Sequence, residues 1–251
     1  MRFYRDTGIV VGHTKLGEAD LIVSILTRDH GLVRAVAKGV RRTKSRFGSR
    51  LDLFMMVDFQ AHIGRNLDIV TQVELVEPFG HGIVGDYDVF AAAAAMAETA
   101  AKLTENEPNT RDQYLLLSAA LRSLCNREHP PRLALNAYLL RAMRTAGWEP
   151  GLDACVSCGA PGPHRAFSFS SGGVVCVACR TAADANAGED ATVLLHNLLN
   201  ANWADAHLAH THAVNRASRI VYDYVQWHLE RRVKSLNLVA VSYTHLTLPT
   251  I

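Results

Sequence analysis

The sequence predicts an α+β protein in two parts: a small five-stranded barrel, then an all-α domain that carries a four-cysteine insertion. Three observations predict this. Short β-branched runs separated by turn residues fill the chain up to Pro78. Beyond Pro78 and the glycines at 80, 82 and 85, apolar residues recur every three or four positions instead of every two. One segment among the helical stretches is rich in Gly, Ser and Pro, poor in large apolar residues, and holds its cysteines in close pairs.

The strand runs are Gly8–His13, Asp20–Thr27, Leu32–Ala37, Leu51–His62 and Leu67–Leu75, with breaks at Leu16-Gly17, His30-Gly31 and Gly64-Arg65. Five such strands suit an OB-type barrel, and residues 1–80 are assigned to it. Residues 81–239 form the helical part. Its predicted helices are Asp86–Thr104, Thr110–Cys125, Pro131–Ala146, Thr192–Trp203 and Ala213–Ser235. Thr110 and the Pro130-Pro131 pair serve as start signals and Gly147 as a stop. The insertion is placed at 153–181. The final stretch, AVSYTHLTLPTI (240–251), has no charge and does not continue the helical pattern. It reads as a tail foreign to the domain, with a short terminal strand as the alternative.

The chain has 251 residues, 20% charged and 49% hydrophobic, with a mean hydropathy of +0.03, which is the profile of a globular protein. It has no apolar run long enough for a membrane span. The opening residues do not form a secretory signal, so the expected compartment is the cytoplasm. In that reducing setting cysteines serve as metal ligands or buried thiols more readily than as disulfides.

Cys155, Cys158, Cys176 and Cys179 form C-x2-C-x17-C-x2-C. Two residues between cysteines let both thiolates turn onto one ion, and two such knuckles close a tetrahedral shell around Zn²⁺ with no open position. The expected ion is one structural zinc. Arg165, Arg180 and His164 are the candidates to offset its negative shell. Cys125 falls in a helical pattern and reads as a small buried hydrophobe.

The net charge of +2 conceals a local excess. The window RAVAKGVRRTKSRFGSR contains Arg34, Lys38, Arg41, Arg42, Lys44, Arg46 and Arg50 and no acid. A run of this kind is often just a solvated loop. Here hydroxyl residues and glycines interleave with the cations, and Phe47 is available to stack on a base. These eight residues, Arg34 to Arg50, are the candidate nucleic-acid contacts. Nucleotide-driven and hydrolytic chemistry find no support: the chain lacks G-x-x-x-x-G-K-[ST], G-x-S-x-G and H-E-x-x-H, and its strand aspartates do not pair at nuclease spacing. His207, His210 and His212 sit in an expected inter-helix loop rather than a second metal site.

Four stretches together resemble the bacterial RecO family of DNA repair and recombination mediators, in its zinc-binding, actinobacterial-like form. They are residues 4–54 with the KG-x-RR-x-KSRFG segment, TQVELVEPF (71–79), the cysteine segment (155–179) and RASRIVYDYVQWHLERRVKSL (216–236). The resemblance implies an OB fold, a helical domain with a zinc insertion, and no enzymatic activity. It also implies binding of single- and double-stranded DNA and annealing of complementary strands. The implied partners are RecR and the acidic C-terminal tail of single-stranded-DNA-binding protein, with RecA loaded onto coated strands. The implied location is the nucleoid. A zinc-ribbon scaffold that addresses proteins rather than DNA is the alternative reading.

Overall fold

The computed structural model describes residues 2–105, 107, 110–230 and 232–244. The five strands are β1 (Phe3–Leu16), β2 (Asp20–Thr27), β3 (Leu32–Ala37), β4 (Met55–His62) and β5 (Asp68–Pro78). They close into a barrel of order β1-β2-β3-β5-β4, antiparallel except where β3 meets β5 at Ala35↔Asp68 and Val36↔Ile69. This is an OB-like Greek-key arrangement. β1 reaches both neighbours because it is long and bulged: its register against β2 shifts between Val10 and Gly12, and its first half pairs with β4. At Gly8 a side chain would strike Ile25, so the close approach of β1 to β2 requires glycine.

Alternation along the strands serves two cores. Val10, Val23, Ile25, Val57, Phe59 and Val70 fill the barrel. Their neighbours Ile9, Val11, Leu26 and Met56 point the other way, into a core shared with the helices. The fourth strand starts later than its apolar run suggests. Residues Gly48–Leu51 form a 3-10 turn, and Phe54 adopts φ 68° with its amide donating to the Val10 carbonyl. Leu51 and Phe54 belong to different cores, so the chain turns between them before Met55 joins the sheet.

The helical part contains α1 (Phe79–Ile83), α2 (Tyr87–Leu103), α3 (Arg111–Cys125) and α4 (Pro131–Thr145). The Asp86 carboxylate caps α2, accepting from the Asp88 and Val89 amides, a device that contributes about 1 kcal/mol. Thr110 occupies the cap position of α3, but its hydroxyl makes no capping bond. Gly147 ends α4 at φ 85°. Its amide donates to Arg144 and that of Trp148 to Met143, the paired bonds of a Schellman stop.

A three-stranded sheet of β6 (Ala166–Ser168), β7 (Gly173–Val175) and β8 (Ala185–Asn186) follows, in the order β7-β6-β8. The remaining helices are α5 (Glu189–Leu199), α6 (Trp203–Ala206), α7 (Thr211–Leu229) and α8 (Ser235–Thr244). The predicted last helix, Ala213–Ser235, instead ends at Leu229, where Glu230 takes φ 50°, and a further helix begins at Ser235. Helix α8 runs into the segment read as a foreign tail or strand, and residues 245–251 lie outside the described residues. Leu236 and Val239 are buried, and the Glu98 carboxylate of α2 accepts from the Lys234 and Ser235 amides and the Ser235 hydroxyl, which fixes the start of α8. No helix among the described residues is long and apolar enough to cross a membrane.

Candidate nucleic-acid interface and metal centre

The basic segment connects β3 to β4 across one end of the barrel. Its path is held by main-chain bonds: the Gly39 amide donates to the Asp20 carboxylate (2.7 Å), the Arg41 amide to Ala19 (3.0 Å) and the Ser45 amide to Arg42 (2.9 Å). The Arg41 guanidinium donates to the Glu18 carbonyl (3.0 Å) in the β1–β2 turn, and that of Arg50 to the Val73 (2.9 Å) and Arg46 (3.0 Å) carbonyls. These two arginines thus anchor the segment while carrying its charge.

Phe47 is corrected by the structure. Its ring is 2% exposed and packs with the barrel core, beneath the Arg46 guanidinium at 4.8 Å, so neither face is open to a base. An aromatic residue in a basic run need not face solvent. Here it plugs the barrel end and ties the connection to it.

Arg34, Lys38, Arg41, Arg42, Lys44 and Arg46 are exposed, and Arg50 is half-buried. Among the described residues no cation of 34–50 takes part in an ion pair. Elsewhere several arginines are paired with acids: Arg5 with Asp58, Arg28 and Arg111 with Asp29, Arg122 with Glu77, Arg127 with Asp86, and Arg144 with Glu149. Arg34, Lys38 and Arg42 make no ion pair or side-chain hydrogen bond among the described residues. β3 alternates Val33, Ala35 and Ala37 inward with Arg34 outward, and Lys38 is the exposed first residue of the turn that follows.

The register adds two cations that composition did not isolate. Lys15 on β1 pairs with Leu21, which pairs with Ala37, the neighbour of Lys38. Arg65 lies in the β4–β5 connection, three residues ahead of Asp68, which pairs with Ala35. Both are exposed. They flank the β2–β3 face, where OB-like barrels bind oligonucleotides. The β1–β2–β3 pairings bring in Lys15 and the β3–β5 pairing brings in Arg65; in sequence both are single charges.

The second site lies in the insertion. The Sγ atoms of Cys155, Cys158, Cys176 and Cys179 all lie within 4.8 Å of one another, an arrangement that can hold a metal ion. Each pair forms a knuckle: the Gly159 amide donates to Cys155 (2.8 Å) with Gly159 at φ 76°, and the Arg180 amide donates to Cys176 (2.9 Å). The small sheet alternates beneath them. Ala166 and Val175 pack with Cys155, whereas Phe167 and Val174 enter the helical core, where Phe167 meets Tyr224 edge-on.

Backbone amides of Cys176 and Cys158 draw the Cys155 thiol down to about 6. The Cys158 and Cys176 thiols push Cys179 up to about 12. Four crowded sulfurs cannot all ionise without a cation, and the donor set, all sulfur with no carboxylate or imidazole, fits a thiophilic ion in a closed shell. His164 supports a knuckle indirectly, with its ring on the Ala160 carbonyl at 2.9 Å. Cys125 is half-buried, points at the Phe79 carbonyl (3.3 Å), and has its thiol pKa raised by burial. His207, His210 and His212 form no metal-capable group of three among the described residues.

A closed OB-like barrel with a row of exposed cations, joined to a helical domain with a four-thiol centre, defines an OB-fold protein of mixed α+β architecture. Comparison with known proteins narrows this class. The family described as Recombination protein O N terminal matches residues 1–79, and Recombination protein O C terminal matches residues 84–237. The chain is 48% identical over 241 residues to the DNA repair protein RecO of Thermobifida fusca (strain YX), covering 95% of this chain and 99% of that protein. The chain belongs to the RecO family, whose members are non-enzymatic mediators of DNA repair and recombination.

Proposed function

We propose that this protein binds single- and double-stranded DNA along the β3–β4 connection and anneals complementary strands. With RecR, it then helps load RecA onto strands coated by single-stranded-DNA-binding protein, at the nucleoid. The observation that carries the reading is the row of exposed cations at 34–46 with no acidic partner among the described residues. Annealing needs no covalent step: two polyanions repel, and a cationic surface that holds both screens them and raises their local concentration. Arg34, Lys38, Arg41, Arg42, Lys44, Arg46 and Arg50 provide that surface, extended by Lys15 and Arg65. Phe47 acts as its anchor. The barrel is residues 1–80 and the helical domain 81–239, with the insertion at 153–181. The centre of Cys155, Cys158, Cys176 and Cys179 holds one Zn²⁺, which supports the fold.

For the acidic tail of the coating protein we assign the hollow of about 220 Å³ between α3, α4 and α6. There Arg141 lies over Trp203 (5.7 Å), Trp203 stacks on His129 (3.5 Å), and the buried Tyr138 hydroxyl has no partner.

The test is fluorescence binding of a single-stranded oligonucleotide over a salt series. If about four cations each meet a phosphate, the log–log slope is about −3. The triple variant Arg41→Ala, Arg42→Ala, Lys44→Ala binds more weakly and with a shallower slope. Binding and slope equal to those of the parent would refute the assignment.

A further inference from the structure

We infer that the cavity at the joined ends of α2, α3 and α4 receives an arginine side chain from a protein partner. It has a volume of about 260 Å³, and its walls include Thr104, Glu107, Asp112, Gln113, Thr145 and Trp148. The lining is one of acceptors. Gln113 is only 5% exposed, and its amide nitrogen is used on the Ala142 carbonyl (2.9 Å), but its Oε1 is buried with no partner. A buried acceptor left unpaired is destabilising because it has lost its water without gaining a donor. An N–H donor entering the cavity recovers that cost.

The two carboxylates at the rim have the same need. Glu107 and Asp112 are exposed, and neither takes part in an ion pair among the described residues. The nearest cations along the same elements are engaged elsewhere: Arg111 with Asp29, Arg144 with Glu149, and Lys102 with Glu98. The carbonyl ends of α2 and α4 add partial negative charge, while Asp112 offsets the positive end of α3. Trp148 supplies the aromatic wall. It stacks on His228 (5.1 Å) and remains 38% exposed.

Two carboxylates, a lone amide oxygen and an indole together suit a planar guanidinium. It offers five donors in a fixed fork and stacks on aromatic rings, whereas an ammonium offers a compact, strongly hydrated charge. The cavity opposes the charge of the barrel surface, so the occupant is a basic side chain and not a phosphate. This proposal is independent of the DNA-binding assignment.

Indole N–H resonances of the zinc-loaded, full-length protein test it, since the chain has three tryptophans and Trp203 and Trp227 serve as internal controls. Nα-acetyl-arginine amide is expected to shift the Trp148 resonance saturably, in the millimolar range, and to leave the other two in place. Nα-acetyl-citrulline amide, the neutral isostere, should not. The double variant Glu107→Gln, Asp112→Asn, on exposed positions that leave the fold intact, should weaken the arginine probe roughly tenfold. No shift, an equal shift with citrulline, an unchanged affinity in the double variant, or tighter binding of Nα-acetyl-lysine amide or spermidine than of arginine would each overturn the proposal.

Discussion

Phe47 shows how a residue legible in type can be misread in role. Its neighbours are charged, hydroxyl or glycine residues, which suggests a ring offered to solvent, yet the barrel end needs a large apolar plug and the connection supplies it. Replacing it with alanine removes a fully buried aromatic ring. Phe47→Ala is expected to cost about 3–5 kcal/mol in chemical denaturation. Phe47→Leu, which keeps most of the volume, should bind oligonucleotide like the parent. A selective loss of binding in a stably folded Phe47→Leu protein would restore the stacking role. For the hollow on the helical side, Tyr138→Phe deletes only a hydroxyl that lacks a partner. It should weaken an acidic tail peptide in fluorescence anisotropy while leaving the melting temperature unchanged or slightly raised.

Among the elements, α8 and the cysteine insertion depend most on a few polar groups. Burial opposes ionisation of Glu98, but hydrogen bonds from the Ser235 hydroxyl and the Ser235 and Lys234 amides, with Lys102 nearby, outweigh it and hold the carboxyl below its usual range. A carboxylate with a depressed folded pKa contributes stability that is fully present above its unfolded value, about 4.3. That stability is lost as pH falls through the lower folded value. Amide exchange in α8 should therefore accelerate on acidification within that window, and Glu98→Gln should abolish the pH step. Equal protection of α8 in Glu98→Gln at neutral pH would rule out this anchor. The insertion has a small apolar core of Cys155, Ala166 and Val175, too little to order it without a further tie. Cys176→Ser is expected to release metal and lower the melting temperature, because an ion bound by the four thiols would tie both knuckles to the sheet beneath α7. Retained metal with unaltered melting would exclude the structural role.

At the scale of the molecule, the barrel and the helices share one core. Ile9, Val11, Leu26, Phe54 and Met56 leave the barrel to meet Phe79, Val89, Met96 and Tyr114. A fragment of residues 1–80 would expose that surface to water, so it should melt at a lower temperature or with less cooperativity than the full chain, as read by calorimetry. The same contact holds the cationic connection on a rigid support. The positive field is local because acids outnumber cations over the rest of the chain, and not because the protein is strongly basic.

Much of this was legible from residues alone. β2 and β3 match their sequence runs in full, and α2 lies between the expected Asp86 and Thr104, because alternation and periodicity are local properties of the chain. The four cysteines were equally legible, since metal-ligand spacing is written within each knuckle. The acid-free run could be seen, but not which of its cations stay free. The roles of Phe47, Arg50, Lys15 and Arg65, the start of β4 at Met55 and the break at Glu230 depend on what lies across the barrel or on the facing helix. Those partners are distant in sequence and meet only when the strands close and the two cores form. Local pattern thus specified the elements and the ligand set. Long-range packing selected which side chains are buried as anchors and which remain exposed.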